Sequence, residues 1–183
     1  MEVSILKNLL DDEVLVDHDS LNNEVKMKEV SVGARLTEVI VGGLSADALV
    51  FSFDRRKKIS DYYSTFYKGI HAGCDYVVVT RLNEVAYILF IEMKSGTTKG
   101  FETQLLNSEI LWEHTAALLK AHCADDWSDI RRVFVLFSLG KSRKTRTDKR
   151  LPKLEKQGVY YVDAGAPTQI HVRRLIEAFD RTA

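Results

Sequence analysis

The sequence predicts an α/β or α+β fold, a mixed β-sheet core flanked by helices. Three observations carry this. Residues Val85–Met93 place Ala86, Ile88 and Phe90 on one face and Tyr87, Leu89 and Ile91 on the other. A strand apolar on both faces is central in a sheet covered on both sides. Residues Lys99–His122 carry Phe101, Leu105, Trp112, Ala116 and Leu119 at spacings of 4, 7, 4 and 3, the pattern of a helix with one buried face. From residue 75 onward the order reads strand, strand, helix, strand, strand, helix, with antiparallel strands at its start.

Taken in order, residues 1–10 (MEVSILKNLL) suit a short helix or a first strand, and the acidic, polar stretch 11–23 a loop. Residues 24–32 alternate as a strand. Residues 36–41 (LTEVIV) form another, stopped by Gly42-Gly43, and 47–54 (DALVFSFD) a third. Residues 55–69 are basic and then aromatic (Tyr62, Tyr63, Phe66, Tyr67) and read as a loop or short helix. Tyr76–Val79 and Val85–Met93 are strands joined by a turn at Arg81–Glu84. Arg132–Leu139 is a buried strand, Gly158–Val162 a short one, and Ile170–Phe179 a final helix. The expectation is a single domain over 1–183, with a β-rich N-terminal extension (1–70) ahead of a core (71–183). There is no Pro/Gly/Ser-rich linker and no repeat.

The 183 residues are 45% hydrophobic and 28% charged, enough to bury a core without metal or disulfide staples. Lys plus Arg and Asp plus Glu are 26 each, which excludes a polybasic tail or an acidic disordered chain. The halves differ: residues 1–90 carry 10 basic against 14 acidic side chains, and 91–183 carry 16 against 12. One basic face can attract a polyanion even when the sum is zero. No apolar run nears the roughly 18 residues of a membrane span. The start MEVSILKNLLDDE lacks a basic n-region, so no signal peptide is expected. Cys74 and Cys123 make no disulfide framework, and a cytoplasmic setting with free thiols is expected.

The chemistry gathers at ILFIEMKSG. Glu92 and Lys94 end the most hydrophobic strand, and the period of two puts both on one face. Burying them needs compensation: a mutual salt bridge, or a metal and a polyanionic substrate. Asp75 opens the preceding strand. The midpoint between 75 and 92 is 83.5, where the turn is predicted, so a hairpin sets Asp75 opposite Glu92. Two carboxylates with the Met93 carbonyl suit Mg²⁺ or Mn²⁺. Lys94 beside them is placed to orient a water and favour its hydroxide form.

The pattern of Asp75, then Glu92-Met93-Lys94 ending a buried strand, then a helix carrying Gln104, resembles the PD-(D/E)xK nuclease superfamily over residues 73–140. Cys74 stands where the motif's name has Pro. The resemblance implies a restriction-endonuclease-like core and metal-dependent phosphodiester hydrolysis. Asp75 and Glu92 would bind metal, Lys94 would activate water, and Gln104 would lie beside the site. It favours DNA over RNA. A homodimer or a multiprotein system, and a role in microbial antiviral defence, are family-level expectations. An upstream Glu often completes such sites, and Glu2, Glu29 and Glu38 are the candidates.

Lys141, Arg143, Lys144, Arg146, Lys149 and Arg150 lie in one ten-residue run after a buried strand. They suit contacts to a nucleic-acid backbone, or a solvated loop. Arg55-Arg56-Lys57-Lys58 is a second basic cluster; its aromatic followers suit core packing better than base stacking. His71, Cys74, His122 and Cys123 are zinc-ligand types, but the adjacent pair His122-Cys123 is an unusual ligand spacing and argues against zinc. No phosphate-binding P-loop or nucleophile elbow occurs. Two rivals stand beside the nuclease: an inactive nuclease-fold module that binds nucleic acid or a partner, and an unrelated α/β binding module with Glu92 and Lys94 as a plain salt bridge.

Overall fold

The computed structural model describes residues 1–29, 36, 38–55, 69–95, 99–139, 153–154, 158–164 and 168–180. In chain order these hold α1 (Val3–Leu9), β1 (Leu15–Val16), β2 (Glu24–Met27), β3 (Val39–Gly42), β4 (Leu49–Phe51), β5 (Tyr76–Leu82), β6 (Val85–Lys94), α2 (Phe101–Cys123), β7 (Arg131–Ser138), β8 (Lys153–Leu154), β9 (Val159–Asp163), β10 (Thr168–His171) and α3 (Val172–Asp180). The class is mixed α+β. One sheet runs β1-β4-β5-β6-β7-β9-β8 and a smaller one β10-β3-β2. The strands from β1 to β6 are antiparallel. After the α2 crossover, β6, β7 and β9 run parallel.

Strand β6 lies inside the larger sheet, and its two faces feed two cores. Ala86, Ile88 and Phe90 pack with Leu105, Trp112 and Leu119 of α2 and Leu6 of α1. Tyr87, Leu89, Ile91 and Met93 pack with Val25, Met27 and Val41 of the small sheet and Leu175 and Ile176 of α3. Trp112 meets Trp127 edge-on, with ring centroids 5.6 Å apart. Among the described residues, no helix is long and apolar enough to cross a membrane.

The hairpin pairs Tyr76 with Ile91 and Leu82 with Val85. Its two turn residues, Asn83 (φ 50°) and Glu84 (φ 65°), are both left-handed, as a tight hairpin turn of the primed type requires. Asn tolerates this; Glu does so at about 1–2 kcal/mol. Glu84→Gly is therefore expected to raise stability by about 0.5–1 kcal/mol, once the greater freedom of an unfolded glycine is subtracted. Urea denaturation would read this as a higher midpoint at constant slope.

Several boundaries differ from the sequence expectation. Residues 1–10 hold a helix. The third strand is only Leu49–Phe51, because Phe53–Arg55 turns as a 3₁₀ segment. Glu24–Met27 and Val39–Gly42 are shorter or shifted relative to 24–32 and 36–41. Thr168–His171 is a strand parallel to β3, and the helix begins at Val172. Thr168 and Ile170 are buried while Gln169 and His171 are exposed, so two residues alternate there before helical periodicity takes over. The aromatic stretch Tyr62–Tyr67 and the basic run Lys141–Arg150 lie outside the described residues.

Candidate active site

The hairpin register carries Asp75 to the position facing Glu92, one rung beyond the last ladder pair, Tyr76 with Ile91. There the side chains bond across the strands. The Met93 N–H donates to Asp75 Oδ2 at 2.7 Å, and the Asp75 N–H donates to Glu92 Oε2 at 3.3 Å. Glu92 is fully buried, and its Oε1 forms an ion pair with Lys94 Nζ. Lys94 also donates to Gln104 Oε1 at 2.8 Å. The structure thus brings Asp75, Glu92, Lys94 and Gln104 together at the end of β6.

Helix α2 holds the strand opposite. Gln104 Nε2 donates to the Gly73 carbonyl at 3.2 Å. Asn107 Nδ2 donates to the carbonyls of Gly69 and Ala72 at 2.8 and 2.9 Å. Ser108 Oγ accepts from the Cys74 N–H at 2.8 Å. Positions 104, 107 and 108 share one helix face, so a single surface clamps the approach to β5. Gly73 is needed for this fit: a Cβ there would stand 2.8 Å from Phe53 Cβ. Gly73→Ala is expected to cost about 1–3 kcal/mol by overpacking, read as a lower melting temperature.

Burial pushes the Asp75 carboxyl up to about 6; the Met93 N–H and Lys94 oppose this, while Asp54 and Glu29 add to it. Burial, and then the charge of Asp75, push Glu92 up to about 8 against the pull of Lys94. Asp54, after the 3₁₀ turn begins, is also raised by burial. Burial makes these neighbouring acids costly to ionise, and a cation held between them would offset that cost. Glu92 Oε1 is buried with the Lys94 ammonium against it and takes no hydrogen bond of good geometry from any other described group. Two carboxylates and the Met93 carbonyl form the donor set on offer. Among the described residues, no three His, Cys, Asp or Glu side chains form a ready-made metal cage.

Two acids beside the site were not singled out by spacing. Glu29 accepts a hydrogen bond from Ser95, the residue after Lys94, and Ser95 Oγ also accepts from the Leu36 N–H at 3.1 Å. Among the upstream glutamates, Glu29 thus lies against the end of β6, whereas the Glu2 N–H donates to Asp125. Asp54 lies in the 3₁₀ turn after β4, the strand neighbouring β5, and its only sequence signal is the polar close of SFD. The four zinc-type residues do not gather. Cys74 bonds Ser108 near the start of α2, whereas Cys123 closes that helix, roughly 22 Å further along at 1.5 Å per residue.

Comparison with protein-family models, curated proteins and solved structures finds no match for this chain.

Proposed function

We propose that this chain is a divalent-metal-dependent nuclease of the PD-(D/E)xK type, acting on DNA in preference to RNA. The observation that carries the reading is the Asp75–Glu92 rung, with Lys94 held between Glu92 and Gln104 at the end of a buried central strand. The antiparallel run β4-β5-β6, the α2 crossover and the parallel β7 follow the order a restriction-endonuclease-like core would have.

Asp75, Glu92 and the Met93 carbonyl would hold Mg²⁺ or Mn²⁺, which when bound supplies Lewis-acid polarisation of the phosphate and acidifies a water. Lys94 orients the attacking water and stabilises its hydroxide form through its fixed ammonium. Gln104 joins the Lys94 amine to the Gly73 carbonyl, so the amine and the strand that carries Asp75 are held in one geometry. The basic run from Lys141 to Arg150 follows β7, whose Ser138 is level with Lys94. The Leu139 N–H donates to the Lys94 carbonyl at 3.2 Å, so the chain leaves the sheet at the site's own end. This favours backbone contacts by Lys141, Arg143, Lys144, Arg146, Lys149 and Arg150.

A second reading is a silent module that binds nucleic acid or a partner. The Lys94–Glu92 ion pair favours it, because it neutralises one acid without a metal. The deciding assay is cleavage of a plasmid and a single-stranded oligonucleotide with Mg²⁺, Mn²⁺ or EDTA, beside calorimetric titration of the cation. EDTA-sensitive cutting is expected. Neither cutting nor cation binding would leave the silent module standing.

A further inference from the structure

A cleft of about 160 Å³ opens beside Asp75, lined by Lys28, Ser52, Asp54, Arg55, Asp75 and Tyr76. We infer that it seats the sugar–phosphate backbone next to the reacting phosphate, held by Lys28 and Arg55. The inference deepens the nuclease reading and rests on it for the identity of the anion.

Both basic residues are exposed side chains on anchored backbone. Lys28 follows β2, and the Tyr76 hydroxyl bonds both its N–H (2.8 Å) and its carbonyl (3.0 Å), so Lys28 is fixed to the first residue of β5. Arg55 closes the 3₁₀ turn after β4, and its Nη1 donates to the Leu15 carbonyl. That contact steadies the guanidinium and leaves further N–H donors in its fork. None of the ion pairs among the described residues involves either side chain. Arg55 also begins the basic cluster Arg55–Lys58.

The cleft carries both signs of charge. Asp54 and Asp75 belong to the acidic side shared with the site, and Lys28 and Arg55 supply the cationic groups. A simple anion would meet two acids; a nucleic-acid backbone spans both sides, setting a phosphate against Lys28 and Arg55 whether or not a cation sits at the acids. The volume is below the roughly 300 Å³ at which ligand pockets begin. It suits a phosphate and part of its sugar rather than a base, so the contact carries no sequence preference.

The test is anisotropy of a labelled duplex with the full chain in EDTA, across a range of salt, for wild type, Lys28→Ala and Arg55→Ala. Each change is expected to weaken binding about three- to tenfold at every sequence tried. Each is also expected to reduce the slope of log K against log salt by about 0.9, one phosphate contact. Lys28→Ala leaves the backbone bonds to Tyr76 in place, and circular dichroism confirms folding of both variants. Unchanged affinity and slope, or weakening confined to one sequence, overturns the inference. Displacement of the duplex by millimolar inorganic phosphate alone would overturn it too, since it would reveal a free-phosphate site. Binding in EDTA is read apart from cutting, so Lys94-dependent cleavage with unaltered binding in both variants would remove this cleft's role and keep the nuclease.

Discussion

Lys94→Ala is expected to reduce metal-dependent cleavage by roughly 10²–10⁴-fold, the range for losing a positioned acid–base group. The structural effect runs alongside. The ammonium is the counter-ion of the fully buried Glu92, and removing one partner of a buried pair commonly costs about 3–5 kcal/mol. Glu92 has an escape, because burial and Asp75 already push it up to about 8. With Lys94 in place Glu92 already holds its proton for most of the time at neutral pH, and without the ammonium it holds it more firmly still, so the loss of stability there is softened. The penalty should grow as the pH passes 8. Lys94→Ala combined with Glu92→Gln should recover stability, measured by urea denaturation, without recovering cleavage. Full cutting by Lys94→Ala would remove the lysine from the chemistry.

The metal-free protein should lose stability from its site as the pH rises from about 4 to about 8. Asp75 is raised from its ordinary 3.8 to about 6, and Glu92 from its ordinary 4.5 to about 8. The folded chain therefore holds protons that the unfolded chain has released in that window. Their contribution is complete below the unfolded values and is lost on passing the folded ones. A divalent cation takes the ionised carboxylates, so it should stabilise more at pH 8 than at pH 6. At a hundredfold excess over its Kd the gain is about 2.7 kcal/mol, a rise of roughly 5–10 °C for a chain of this size. Thermal melts with Mg²⁺ or EDTA at the two pH values decide it. Equal shifts at both, or none, would take the cation from these acids. Asp75→Asn should suppress the cation's effect.

Where the sequence carried local information, it was legible. The two apolar faces of β6 separate into two cores as alternation requires. A hairpin has one centre of symmetry, so a predicted turn at 81–84 that spans the midpoint 83.5 was enough to set Asp75 against Glu92. Gln104 came from the family resemblance and not from spacing; the structure sets it against Lys94 because the first turns of α2 lie beside the end of β6. Asp54 and Lys28 were out of reach, and Glu29 could only be named beside Glu2 and Glu38, since their approach depends on pairings between distant segments. The strand Thr168–His171 failed for the same reason: four residues of alternation do not declare themselves until Val39–Gly42 is known to be beside them.

That last pairing bears on how the chain is made. β3 meets β10 in a parallel ladder that joins residue 39 to residue 168. The local run β4-β5-β6 can form early, since its contacts are close in sequence, whereas a ladder across so long a loop is slow to close. During synthesis, residues 168–180 leave the ribosome after everything they cover. Until then Val25, Met27 and Val41 lack Ile170, Leu175 and Ile176, the partners of one core. The segment that brings Lys28 and Glu29 to the site belongs to this late-closing half. On this ground the nascent chain is expected to form its β6 hairpin first and the far wall of its site last.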